Sequence, residues 1–223
     1  MQQNNITMKD LVIFDLDGTL LYTLEDLKDS VNCCMSHYGY PQRTLDEICS
    51  FVGNGVKQLV KLSLPEDITE DKFDTCYEFF KTHYAAHCCD KTKPYDGIIE
   101  VLKCLKTEGK KIAIVSNKFH DAAVEVCEHY FKGLYDMVVG ESETVRRKPH
   151  PDGIFKILET FGIEKKHAIM FGDSEVDFKT SANAGIDFVA VLWGFRDEKF
   201  LRANGITSMI HNTNDIISIV NNN

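Results

Sequence analysis

The stretch LVIFDLDGT, residues 11–19, sets a short apolar run against two carboxylates two residues apart, Asp15 and Asp17, followed by Gly18 and Thr19. Two further acids, Asp173 and Asp177, follow the apolar run AIMFG; Ser116 and Asn117 follow KIAIV, and Lys148 lies in RRKPHP beyond MVVG. In an open parallel α/β sheet, ligands bind at the carboxyl ends of the strands, so these residues converge on one cleft. Taken singly, each has a plainer reading: an Asp after a strand is often a helix cap or turn residue, and Lys148 before Pro149 reads as a solvated loop lysine. Together the acids need a cation, because carboxylates clustered without compensation raise one another's pKa values and lose stability. An all-oxygen donor set completed by a phosphate suits Mg²⁺, and the absence of cysteine from these loops, with His150 reading as a surface residue, disfavours zinc and copper. The implied ligand is a phosphate ester.

That chemistry gives the two neighbouring aspartates different tasks. Asp15, kept ionised by Mg²⁺ and Lys148, can attack phosphorus, while Asp17, its side chain off the metal, can hold a proton for the leaving oxygen. Gly18 lets the backbone turn closely round a phosphate, and Thr19 adds a hydroxyl.

The elements that must carry these residues are legible as alternating patterns. Apolar, β-branched runs occur at LVIF (11–14), KIAIVS (111–116), MVVG (137–140), AIMFGD (168–173) and FVAVLW (188–193), separated by segments of helical periodicity. Such alternation predicts an α/β fold, a Rossmann-like, mostly parallel sheet covered by helices on both faces. Between residues 23 and 91 the alternation stops, and TLEDLKDSVNCCMSHYG, NGVKQLVKLSL and EDKFDTCYEFFKTHYAAHCC read as helices. The expected organisation is a core of residues 1–22 and 92–223 with an all-helical domain, 23–91, inserted after the first strand, its exit at KTKPYDG being a hinge or turn. The NNN tail after Val220 is expected to fray.

The totals exclude several classes. With 223 residues, 43% of them hydrophobic, the chain can bury a substantial core, and its formal charge of −9 argues against a nucleic-acid partner. No basic region precedes a long apolar stretch at the N-terminus, so neither a signal peptide nor a membrane span is expected. None of the eight cysteines forms a CxxC pair, a pattern of reduced thiols in a cytoplasmic protein. The histidines suggest no coherent site; His120, His150 and His167 lie near motifs and read as surface residues.

The motifs resemble those of the haloacid dehalogenase (HAD) superfamily: DLDGT is similar to its DxDGT motif, Ser116 in IVSNK to its second, Lys148 in RRKPHP to its third, and GDSEVD to its GDxxxD motif. The spans FVGNGVKQLV, KPYDGI, SNK and FGDSEVDFKTSANAG are similar to the phosphoglycolate phosphatase group, which carries a helical cap inserted after the first motif. The resemblance implies a Mg²⁺-dependent phosphatase acting on a small phosphorylated metabolite, 2-phosphoglycolate first, through an aspartyl-phosphate intermediate. It assigns Asp15 as nucleophile and Asp17 as general acid and base. The metal falls to Asp15, the Asp17 main-chain carbonyl and Asp173, with Asp177 supporting through water or Lys148. Ser116, Asn117 and Lys148 would hold phosphoryl oxygens, with Gly18 and Thr19 beside them, and the Gly53–Asn54–Gly55 loop of the cap would shape specificity. A monomer or homodimer is expected. Tyr22 stands where members commonly carry an aspartate, Leu62 where an arginine is frequent, and Asp96 interrupts the usual PYPG. Other readings of the same motifs are a β-phosphoglucomutase-like phosphomutase and a phosphatase or pyrophosphatase for sugar phosphates, nucleotides or pyrophosphate. A phospho-accepting receiver would not place an acid two residues from its nucleophile, and a dehalogenase needs neither Mg²⁺ nor the second aspartate.

Overall fold

The structure, a computed structural model, describes residues 8–222; the N-terminal stretch read above for a leader, up to residue 7, and the final asparagine fall outside it. In chain order, β1 (Leu11–Phe14) and β2 (Leu21–Tyr22) lead into α1 (Leu24–Tyr38), α2 (Leu45–Phe51), α3 (Val56–Ser63) and α4 (Glu70–His87), then β3 (Lys93–Pro94). There follow α5 (Ile98–Thr107), β4 (Lys111–Phe119), α6 (His120–Phe131), β5 (Met137–Glu141), α7 (Asp152–Phe161) and β6 (Ala168–Gly172). The chain closes with α8 (Glu175–Ala184), β7 (Asp187–Val191), α9 (Glu198–Ala203), β8 (Met209–Ile210) and α10 (Asp215–Asn222). Two compact units emerge, one of residues up to Leu20 and from Pro94 onward, the other Leu21–Lys93.

The first unit is organised by a six-stranded sheet in the order β5-β4-β1-β6-β7-β8, every pair parallel. All four residues of β1 have no solvent exposure, so this strand reads as an unbroken apolar run rather than an alternating one. Leu11 and Ile13 share one face with Ala113, Val115 and Met170 beneath Ile154 and Ile157 of α7 and Ala184 of α8. Phe14 stacks on Phe171 at 5.6 Å. A slip of one residue would exchange the side chains of two faces that are both packed, and would draw Asp15 into the apolar run or push Leu11 out of it, so the cost is mispacking and a buried charge. The register is therefore fixed: Phe14 lies opposite Ile114 on one side and Phe171 on the other, and all three strands end at the same edge.

At that edge β4 departs from its partner. Val115 pairs with Val139 but Phe119 with Glu141, so β4 spans four residues where β5 spans two, and Ser116, Asn117 and Lys118 lie in the irregularity. The apolar run from 111 to 116 thus marks only the regular part of a strand reaching Phe119. The strand expected to extend to Trp193 ends at Val191, and Trp193 instead donates its Nε1–H to the Thr19 carbonyl at 3.0 Å. The final asparagines do not all fray: Asn221 belongs to α10 and donates its side-chain amide to Glu108.

In the second unit α1 packs on α4 and α2, and α3 on α2 and α4. Leu27, Val31, Cys34 and Met35 of α1 and Phe73, Cys76, Phe80 and Tyr84 of α4 are among its buried apolar residues, with Ile48 of α2 and Leu59 and Val60 of α3. Gly39 ends α1 at φ +74°, its N–H reaching the Met35 and Ser36 carbonyls, and Thr44 with Glu47 forms a capping box at the start of α2. Buried Asp26 receives the Lys91 and Thr92 N–H groups, tying the start of α1 to the chain on its return. β2 and β3, each too short for any periodicity to reveal, form a separate two-stranded ladder. On the first unit's side, Tyr95 N–H donates to the Leu20 carbonyl at 3.1 Å. All eight cysteines are free. Among the described residues no helix is long and apolar enough to cross a membrane.

Candidate active site

Asp15 is the first residue past β1, and its N–H still bonds the Phe171 carbonyl of the neighbouring strand at 2.9 Å. Its carboxylate therefore inherits the register of the core. Lys148, from the loop after β5, is 4% exposed and places Nζ 2.6 Å from Asp15 Oδ1 and 2.6 Å from Asp177 Oδ1. Asn117 fixes that lysine's backbone from both sides, accepting from its N–H at 2.6 Å and donating to its carbonyl at 3.2 Å.

Asp177 sits at the third position of α8, and Ser174 and Asp177 form a capping box there: the Ser174 N–H and hydroxyl donate to Asp177 Oδ2, and the Asp177 N–H donates back to Ser174 Oγ. Gly172 has to be glycine, since a Cβ would approach the Asp177 carboxyl carbon at 2.5 Å. Asp173 accepts the Phe195 N–H on Oδ2 at 2.7 Å. A Cβ on Gly18, whose φ is +88°, would run into that same carboxylate.

Asp15, Asp173 and Asp177 bring one oxygen each within 4.8 Å of one another. Burial first, then the Asp177 and Asp173 charges, hold Asp15 well above the usual carboxylate range, with Lys148 opposing. Asp173 is pushed up to about 7 by burial and next by Asp177, against the Phe195 N–H and the Arg196 charge. Burial works against the Lys148 charge, yet the two carboxylates beside it hold its pKa above the ordinary lysine value. Three buried acids with one lysine leave excess negative charge. Asp177 has both oxygens engaged by Lys148 and Ser174, whereas Asp15 Oδ2 and Asp173 Oδ1 take no hydrogen bond from the described residues. An all-oxygen set with two uncommitted carboxylate oxygens fits a hard divalent cation.

Asp17 lies outside this trio. Its Oδ1 is buried without a hydrogen-bond donor and stands 3.7 Å from Lys118 Nζ. Thr19 is fully buried and its hydroxyl is also unpartnered. Ser116 is buried and accepts the Lys118 N–H at 3.1 Å. The structure thus brings Asp15, Asp17, Gly18, Thr19, Ser116, Asn117, Lys148, Asp173 and Asp177 together within the first unit. Gly53, Asn54 and Gly55 belong to the other unit, between α2 and α3, where Gly53 and Gly55 adopt φ of +121° and +79°. Three participants lay beyond the sequence reading. Lys118 was visible only as the next residue of SNK; the Phe195 N–H is a backbone group without a signature; Arg196, 3.7 Å from Glu175, sits in an ordinary-looking loop.

Residues 12–191 match the family described as haloacid dehalogenase-like hydrolase, and the chain belongs to that family: it is an enzyme of the hydrolase class. Among individual relatives, it is 32% identical over 187 residues to the phosphoglycolate phosphatase of Aquifex aeolicus, covering 83% of this chain and 85% of that one. It is 34% identical over 194 residues to the phosphoglycolate phosphatase of Agrobacterium fabrum, covering 85% and 83% respectively. A crystal structure of a candidate phosphoglycolate phosphatase from Lactobacillus delbrueckii superposes with a TM-score of 0.91 at 32% identity, over 97% of this chain and all of the other.

Proposed function

We propose that this enzyme is a Mg²⁺-dependent phosphomonoesterase that hydrolyses 2-phosphoglycolate through an aspartyl phosphate on Asp15. The observation that carries the reading is Lys148 held between Asp15 and Asp177, beside two carboxylate oxygens left uncommitted at the end of the central strand. The substrate follows from relatives named phosphoglycolate phosphatase at 32% and 34% identity.

Asp15 and Asp173, with the Asp17 main-chain carbonyl, would hold Mg²⁺, which when bound supplies positive charge to the phosphoryl oxygens and to the buried acids. Asp15 attacks phosphorus as its carboxylate, and the bond to the ester oxygen breaks. Asp17 gives its proton to that oxygen, then takes one from the water that cleaves the acyl phosphate, restoring Asp15 and releasing inorganic phosphate. Lys148, Ser116, Asn117 and Thr19 orient the phosphoryl group and stabilise charge on its equatorial oxygens. Asp177 keeps Lys148 in place. The helical unit serves as the cap, its 53–55 loop shaping specificity, and the enzyme works in the cytoplasm, where its free thiols stay reduced.

The experiment is phosphate release from 2-phosphoglycolate beside sugar phosphates, nucleotides and pyrophosphate, each with Mg²⁺ and with excess chelator. Metal-dependent turnover led by 2-phosphoglycolate is expected, with Asp15→Asn lowering kcat on the order of 10⁴-fold. Transfer to an added sugar phosphate without net release would instead identify a mutase.

A further inference from the structure

Residues 192–195 lie just beyond β7, outside every motif that carries the family resemblance. Leu192 still bonds β8, its N–H donating to the Ile210 carbonyl at 3.0 Å. Trp193 then turns its indole N–H to the Thr19 carbonyl at 3.0 Å, on the turn that follows β1. Gly194 runs so close to the site that a Cβ there would collide with the Asp173 side chain and come within 2.5 Å of the Gly18 carbonyl oxygen. Phe195 donates its N–H to Asp173 Oδ2 at 2.7 Å, and its ring lies 2.9 Å from the place a Gly18 Cβ would occupy.

The strand ladder does not set the spacing of those two loops. β1 and β6 pair as far as Phe14 and Phe171, and the Asp15 N–H makes one more bond to the Phe171 carbonyl. Gly18 and Asp173 both lie past that point, and residues 193–195 touch both loops. We propose that Trp193 is a positioning residue for the metal site. By holding the Thr19 carbonyl it seats Gly194 and Phe195 between the Gly18 turn and Asp173. Asp173 and the Asp17 main-chain carbonyl are thereby kept at the spacing at which they share one cation. This rests on the metal-dependent phosphatase reading above. Its physical basis is that a carboxylate with Oδ2 committed to a backbone N–H keeps one orientation and presents Oδ1, whereas loosening such an outer contact weakens metal affinity by roughly 10- to 100-fold.

The test titrates Mg²⁺ into the enzyme and follows Tm, phosphate release and tryptophan emission. Trp193 is the single tryptophan of the chain, so its emission reports the loop in the wild type without any variant. Emission and Tm are expected to change over the same Mg²⁺ range and to revert with excess chelator. Trp193→Phe keeps an aromatic ring and removes the N–H. It should raise the Mg²⁺ concentration for the half-maximal rise in Tm roughly 5- to 10-fold, with KM for 2-phosphoglycolate at saturating Mg²⁺ unchanged. Gly194→Ala drives a methyl group between Asp173 and Gly18, and should raise the same concentration by at least about tenfold. A residue that merely supports the fold would lower the metal-free Tm and leave the half-saturating concentration where it was. That result in Trp193→Phe overturns the proposal and leaves the phosphatase reading intact. Emission that stays constant while Mg²⁺ raises the wild-type Tm overturns it too, and this decides the matter if Trp193→Phe does not fold. A wild type whose Tm and phosphate release are both indifferent to Mg²⁺ and to chelator removes the metal reading and the proposal together.

Discussion

Lys148 and Asp177 meet at 2.6 Å, and the other oxygen of that aspartate is bound by the Ser174 hydroxyl, so one carboxylate both caps α8 and holds the site's lysine. Asp177→Asn would turn an amide N–H₂ toward either Lys148 or the Ser174 N–H and break one of these bonds. The expected result is a loss of about 1–3 kcal/mol in stability and a fall in kcat of about 10- to 100-fold with a smaller change in KM. Thermal unfolding and steady-state kinetics on the same preparation check both, and a variant with wild-type kcat would remove Lys148 positioning from the account.

Removal of the metal has a pH signature. Asp173, with a folded pKa of about 7 against a reference of 3.8, binds a proton in the folded state that the unfolded chain has already released across that interval, and Asp15 is displaced in the same direction. The metal-free protein therefore loses stability as pH rises through this window. A bound cation replaces those protons, so the rise in Tm on adding Mg²⁺ should be larger at about pH 7.5 than at about pH 5.5. Equal shifts at both values would mean that the cation binds elsewhere.

Gly18→Ala tests the close approach at the turn. The substitution must adopt φ near +88° and pushes a methyl group against the Asp173 carboxylate and the Phe195 ring. Beyond roughly 1–2 kcal/mol of backbone strain, it should displace Asp173 and weaken Mg²⁺ activation by at least about tenfold. Metal titration of activity reads this directly, and an unchanged half-activating concentration would contradict it.

Much of this arrangement was legible before any coordinates. LVIF ending on Asp15 is readable because a central parallel strand must be apolar throughout, and wherever the run stops, the next polar residue marks the sheet edge. GDSEVD is readable for a second reason: its spacing is also that of a helix cap. The unreadable parts have different physical origins. β2, β3 and β8 are two residues long, too short for a periodicity. Lys118 owes its place to the register change in β4, which depends on pairing with β5, and pairing is not written in either strand alone. The Phe195 N–H could not be foreseen because every residue but proline carries the same group.

The bond between Tyr95 and Leu20 makes the helical unit a cassette. The chain leaves the first unit and re-enters it at hydrogen-bonded neighbours, and residues 21–93 contribute no strand to the six-stranded sheet. A short turn joining Leu20 to Pro94 would leave β1 and its two parallel neighbours with their pairing intact. The stretch between those two residues is thus a natural seam for recombination, where an insert from another family member can be grafted without rebuilding the residues at the end of β1.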